Sequence, residues 1–278
     1  MIATIQAAVP DASVRLICAT LGISRSWVYA ARQRAADPAS DALVAQIEAI
    51  ILRHPGYGYR RVTAALRRQG HAINHKRVRR LMRAASLLCQ VRRYVQTTQG
   101  RHPFRRYPNL ARATVVTGPN QLWVADLTYL HFPRSTGYLA VVLDAWSRRC
   151  IGWALGARLT GELTEQALTQ AIATRQPAPG LIHHSDQGVQ YANHRYTRQL
   201  QATGARMSMT ATGRPTENGL VESFFSTLKR EEVWLNDYQD LVDARQHLAE
   251  FLDQIYNTER LHSSLGYRPP AEYEQVAA

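Results

Sequence analysis

Lysine is almost missing from this 278-residue chain: of its 34 basic residues, all but Lys76 and Lys229 are arginine. Arginine keeps its charge in every environment and forks onto phosphate oxygens, so this bias fits a phosphate-rich partner. A GC-rich genome produces the same bias. Cysteine is scarce as well. Cys18, Cys89 and Cys150 are odd in number, far apart and without zinc-ligand spacing. That excludes a disulfide framework and reads as buried thiols in a reducing compartment. No apolar run approaches the ~20 residues of a membrane span, and no signal-peptide pattern opens the chain. Sustained heptads are also missing, which excludes a long coiled coil. A cytoplasmic protein is expected.

Acid is what the N-terminal part lacks. Residues 1–120 hold 20 Lys+Arg against 4 Asp+Glu, whereas residues 121–278 hold 14 against 17. The net charge of +13 therefore resides in the first part, and the second is slightly acidic. Such asymmetry points to one region that grips a polyanion and another that performs chemistry. A merely soluble basic surface is the competing reading.

What is present falls into four stretches. Residues 1–36 carry a helix-turn-helix pattern. Val14, Ile17, Cys18 and Leu21 recur at helical spacing, Gly22 breaks the run, and Ser24 caps a second helix that presents Arg25. An ordinary helical hairpin would look the same. Residues 35–41 read as a linker. Residues 41–88 carry a second, more basic helix-turn-helix pattern. Helices are predicted over 42–53, 60–69 and 75–85, with Gly70 as a stop and Asn74 as a cap. Val62, Leu66, Val78, Leu81 and Met82 face inward; Arg60, Arg61, Lys76, Arg77, Arg79 and Arg80 are assigned to a DNA-gripping outer face. A solvated charged face is the alternative. Residues 89–119, with prolines and arginines among aromatics, read as an extended basic arm.

From residue 120 the pattern turns to strands, predicted over 122–131, 138–144, 149–159, 181–184 and 207–209. Helices are predicted over 162–174, 193–202, 216–232 and 241–256. Three strands followed by alternating helices and strands imply an α/β fold with a mixed sheet.

Three carboxylates stand out within 120–278. Asp126 interrupts an apolar strand, where an unpaired charge is costly. Asp186 follows a short strand, the usual place for ligands in such sheets. Glu222 and Lys229 lie seven residues apart, two helical turns and one face. Phosphodiester cleavage needs an activated nucleophile and a stabilised leaving oxygen, which two divalent ions held by a few carboxylates supply. Each residue also has a plain structural reading: a strand-end cap, an Asx turn before Gln187-Gly188, and a surface helix position. Asp144 reads as a turn residue bonded to backbone, Glu217 is a rival for Glu222, and His183-His184 lack the companions that zinc requires.

The stretches Asn120–Tyr129, Tyr138–Asp144, His184–Gly188, Asn218–Lys229 and Tyr256–Pro270 identify a family. Over nearly its whole length the chain resembles the catalytic second-reading-frame products of bacterial insertion-sequence transposases, with a core like retroviral integrases. The resemblance implies a ribonuclease H-like core over 120–278 and a catalytic, metal-binding triad of Asp126, Asp186 and Glu222. It implies two Mg²⁺ ions, or Mn²⁺ in their place, and Lys229 on DNA. It also implies cleavage at transposon ends followed by attack of the 3′-OH on target DNA. Expected partners are end and target DNA, further copies of the chain, and the first-frame product or its fusion. The segment Arg214-Pro215-Thr216-Glu217 departs from the family pattern, where an aromatic and an Asp are more usual. Competing readings are a non-catalytic DNA-binding regulator and a structure-selective nuclease on the same core.

Overall fold

The computed structural model describes residues 38–88, 107–133, 135–210 and 218–277, together with Arg15, Cys18, Thr20 and Ser24. The helix-turn-helix reading of residues 1–36, with Arg25, lies outside the described residues apart from those four. So do most of the basic arm and the segment 214–217.

Three helices open the described part: α1 (Pro38–Arg53), α2 (Tyr59–Arg68) and α3 (His75–Ala84). Helix α1 starts at Pro38, inside the stretch read as a linker. A proline in the first turn lacks only an N–H that has no intrahelical partner there. Gly70, with φ of 91°, turns the chain after α2, and the Asn74 side chain accepts the Lys76 amide at 2.8 Å to cap α3. Val62 with Leu66 and Val78 with Met82, each pair four residues apart, meet Ile47 and Tyr57 in a small core.

The second part is built on a five-stranded mixed sheet in the order β3-β2-β1-β4-β5. β1 (Leu122–His131), β2 (Thr136–Asp144) and β3 (Cys150–Gly156) form an antiparallel meander; β4 (Ile182–Ser185) and β5 (Arg206–Met209) join it in parallel. This is the ribonuclease H-like arrangement. Strand alternation divides the sheet residues between two cores. Leu122 and Val124 from β1 with Val141 and Leu143 from β2 face α6 (Gly219–Leu228) and α7 (Leu241–Ala249). Trp123, Ala125, Ala140 and Val142 face α4 (Gly161–Arg175) and α5 (His194–Ala202). Helix α4 lies so close to β3 that a Cβ at Gly152 would collide with the Ala167 carbonyl.

Strand β3 ends at Gly156 rather than 159, because exposed turn residues follow it. The predicted helix over 241–256 continues to Glu259, with wide π-type turns from Glu250 onward. A final helix, α8 (Pro270–Ala277), was not signalled by apolar spacing. Its Glu274 is held by Arg149 and Arg175 at 2.8 Å.

The helical unit is seated on the C-terminal tail. Leu261 joins the helical core; its amide donates to the Tyr57 hydroxyl at 2.8 Å and its carbonyl accepts from Arg61 Nε at 3.1 Å. Arg53 pairs with Glu259, and Arg68 with Glu272.

Candidate active site

The register of β1 and β4 brings two carboxylates together. Ala125 lies beside Ser185 in the parallel ladder. The next residue in sequence is an aspartate in both cases, Asp126 within β1 and Asp186 just past the end of β4, so the two follow neighbouring strands that stand roughly 4.8 Å apart. Alternation turns Asp126 toward the face covered by α6. That helix packs on β1 through Val221, Phe224 and Leu228, leaving Glu222 exposed in its first turn.

The three groups feel one another. Burial holds the Asp126 carboxyl well above the usual carboxylate range, the charge of Asp186 adds to the effect, and Glu222 adds to it further. The Leu127 amide, 2.8 Å from Asp126 Oδ1, and the Lys229 ammonium work in the opposite direction. Lys229 is half-buried where α6 ends, its Nζ 5.0 Å from the Tyr129 ring centroid. Burial lowers its pKa and Asp126 raises it. Asp186 also makes the Asx turn that the plain reading expects, Oδ1 accepting the Gly188 amide at 2.8 Å.

Donor chemistry fits a divalent cation. The ligands on offer are hard carboxylate oxygens whose mutual repulsion a cation would relieve. Among the described residues, however, no three His, Cys, Asp or Glu side chains already converge tightly enough to hold an ion.

The rivals are occupied elsewhere. Asp144 is fully buried, Oδ1 accepting the Trp146 and Ser147 amides at 3.0 Å and Oδ2 the Asn120 amide at 2.7 Å. His183 Nε2 lies 2.9 Å from the Tyr196 hydroxyl, and His184 Nδ1 lies 2.8 Å from Ser208 Oγ. Glu217 lies outside the described residues. Sequence reasoning missed Tyr191. Its ring is buried against Tyr196, its hydroxyl has no hydrogen-bond partner among the described residues, and burial, then the charges of Asp126 and Asp186, push its pKa far up. No spacing rule singles out an aromatic five residues after Asp186.

Three domain matches overlie these features. The Integrase core domain matches residues 116–215 and, in a second model, residues 203–270; the HTH-like domain matches residues 38–94. The chain is 36% identical over 242 residues to the transposase for insertion sequence element IS904 of Lactococcus lactis, covering 84% of this chain and 94% of that one. It is 32% identical over 270 residues to transposase InsF for insertion sequence IS3A of Escherichia coli, covering 94% of each. The chain belongs to the insertion-sequence transposases. A simian T-cell lymphotropic virus intasome in complex with PP2A regulatory subunit B56 gamma is more distant, with 17% identity, 78% of this chain and 70% of that chain covered, and a TM-score of 0.48.

The basic residues of this transposase divide into two sets. Arg60, Lys76, Arg77, Arg79 and Arg80 are exposed on α2 and α3. The guanidinium carbons of Arg60 and Arg79 lie 5.6 Å and 5.5 Å from the Tyr59 ring centroid, which gathers them on one surface. Arg77 Nη2 reaches Ser40 at 3.4 Å. Arg61 instead turns inward, to the Leu261 carbonyl and to Glu231 at 3.6 Å. Among the described residues no helix is long and apolar enough to cross a membrane.

Proposed function

We propose that the chain is the catalytic subunit of an insertion-sequence transposase, nicking DNA at element ends and joining the freed 3′-OH to target DNA. The carrying observation is the pairing of Asp126 with Asp186 across β1 and β4, with Glu222 and Lys229 in electrostatic reach. Asp126, Asp186 and Glu222 would hold two Mg²⁺ ions, or Mn²⁺, which when bound supply the Lewis acidity that activates a nucleophile and steadies a leaving oxygen.

The chain's own groups do the rest. Asp126 and Asp186, fixed on the sheet, orient the scissile phosphate between them and α6. Lys229 neutralises phosphate charge beside the carboxylates, held in place by the Tyr129 ring. In the first step a water oxygen bonds to phosphorus, the P–O3′ bond breaks, the 3′ oxygen takes a proton and the water gives one to solvent. In the second step that 3′ oxygen bonds to a target phosphorus and gives its proton to solvent, the target P–O3′ bond breaks, and the displaced 3′ oxygen takes a proton, with no covalent protein intermediate. The exposed cations of α2 and α3, within the helical unit 41–88, grip end DNA, and the arm 89–119 lies along it. Two ends must be held at once, so the working form is a homo-oligomer on DNA.

A non-catalytic regulator is the second reading, favoured by the absence of a preformed three-ligand metal group among the described residues. Incubation with end-bearing duplex and Mg²⁺ separates the two. Nicking that Asp126→Asn abolishes, with binding retained, supports the enzyme; a mobility shift without nicking supports the regulator.

A further inference from the structure

A compact polar pocket of about 110 Å³ lies on α6 where the tail and the helical unit meet. Arg61, Arg148 and Arg260 line it, with the hydroxyl residues Ser223, Thr227 and Ser263. Its α6 residues, Leu220, Ser223, Phe224 and Thr227, recur at helical spacing on a stripe turned away from Glu222 and Lys229.

The charge there is unbalanced. Glu231 is the one carboxylate that ion-pairs with these guanidiniums among the described residues. It takes two hydrogen bonds from Arg260, at 2.7 Å and 2.8 Å, with Arg61 at 3.6 Å and Arg230 at 4.0 Å. Arg148 makes no ion pair among the described residues. Its backbone takes φ of 66°, a conformation that non-glycine residues rarely adopt. His262, 3.3 Å from Arg260, leaves that balance unchanged, because burial and the neighbouring arginines keep its ring neutral. Three arginines and several hydroxyls lining a space of this size match a small tetrahedral oxyanion rather than a base or a peptide.

We propose that this pocket binds one phosphate of the DNA backbone, other than the scissile one. The inference rests on the reading that the chain acts on DNA. A continuous strand is favoured over a free ion by what lies next door. A larger cleft of about 520 Å³, lined by Arg60, Arg67, His75 and Arg268, draws on residues 266–268 of the same tail segment whose residues 262–264 line the pocket. A backbone running along the tail would meet guanidinium groups in both.

The test begins on the full chain in EDTA, so that nothing depends on the carboxylate site. Inorganic phosphate should raise the melting temperature above that in chloride at equal ionic strength. Arg148→Gln and Ser263→Ala should each shrink the difference. No phosphate-specific shift, or one that both variants leave intact, overturns the site. The second arm uses end-bearing duplexes with single methylphosphonate linkages. One linkage should weaken wild-type binding by about tenfold, the loss of one charge-assisted contact, and have little effect on Arg148→Gln. Phosphate stabilisation with no sensitive linkage makes the pocket a free-anion site and overturns the DNA assignment. Loss of nicking ability would sink the catalytic reading while leaving both binding arms readable.

Discussion

Two aspartates at comparable points in the chain have opposite environments, and substitution should separate them. Asp144 satisfies backbone amides of residues 120, 146 and 147. Asp144→Ala leaves those donors buried and unpaired, and is expected to cost about 3 kcal/mol or more. Asp126 is strained by burial and like charge, so Asp126→Asn is expected to raise the melting temperature in EDTA while abolishing cleavage; thermal denaturation of both variants tests the contrast. Tyr191 gives a third comparison. Its hydroxyl makes no hydrogen bond to the described residues, so Tyr191→Phe should shift stability by no more than about 0.5 kcal/mol. A loss well above that would mean the hydroxyl is bonded in solution.

At the scale of elements, the close approach of α4 to β3 is a sharp constraint. Gly152→Ala places a methyl against the Ala167 carbonyl, a backbone atom that cannot swing aside. A loss of about 1–3 kcal/mol in urea unfolding is expected. The strands and helices of the core were readable because their periodicities differ: ten residues of β1 match the predicted span, and Asn74 and Gly70 punctuate α3 and α2 as their chemistry requires. The proximity of Asp126 and Asp186 was legible only through the family resemblance and not from periodicity, since it depends on the register of a parallel ladder joining residues sixty apart. The inward turn of Arg61 was equally hidden. Helical spacing places it beside the exposed Arg60, and only the docked tail supplies the Leu261 carbonyl and Glu231. Helix α8 escaped notice because ion pairs from Glu274 and Glu272 anchor it more than an apolar stripe does.

For the whole molecule, buried histidines link folding to pH. Burial holds His183 at about 3 and His262 at about 2, both below the value of 6.5 for an exposed ring. The unfolded chain binds protons at these sites below pH 6.5 while the folded chain does not. The contribution of these two histidines is therefore complete above that pH and is lost as pH falls, by up to about 1.4 kcal/mol per unit for each group. Asp126, whose carboxyl is raised, titrates with the opposite sign over the same range, so denaturant midpoints of Asp126→Asn between pH 7 and pH 5 would reveal the histidine contribution, and no fall in that variant would contradict it. The separation of charge, with most cations in the first part and the carboxylates in the second, seats a basic helical unit directly on the C-terminal tail of the part that carries the carboxylates. On the proposed function, Asp126, Asp186 and Glu222 form one metal-dependent centre acting on DNA. The most direct measurement is strand cleavage of an end-bearing duplex with Mg²⁺ or Mn²⁺ by wild type, Asp126→Asn, Asp186→Asn and Glu222→Gln, with binding followed in parallel. Cleavage by wild type alone, with binding retained in all four, is the expected result; wild-type cleavage by any of the three variants would contradict it.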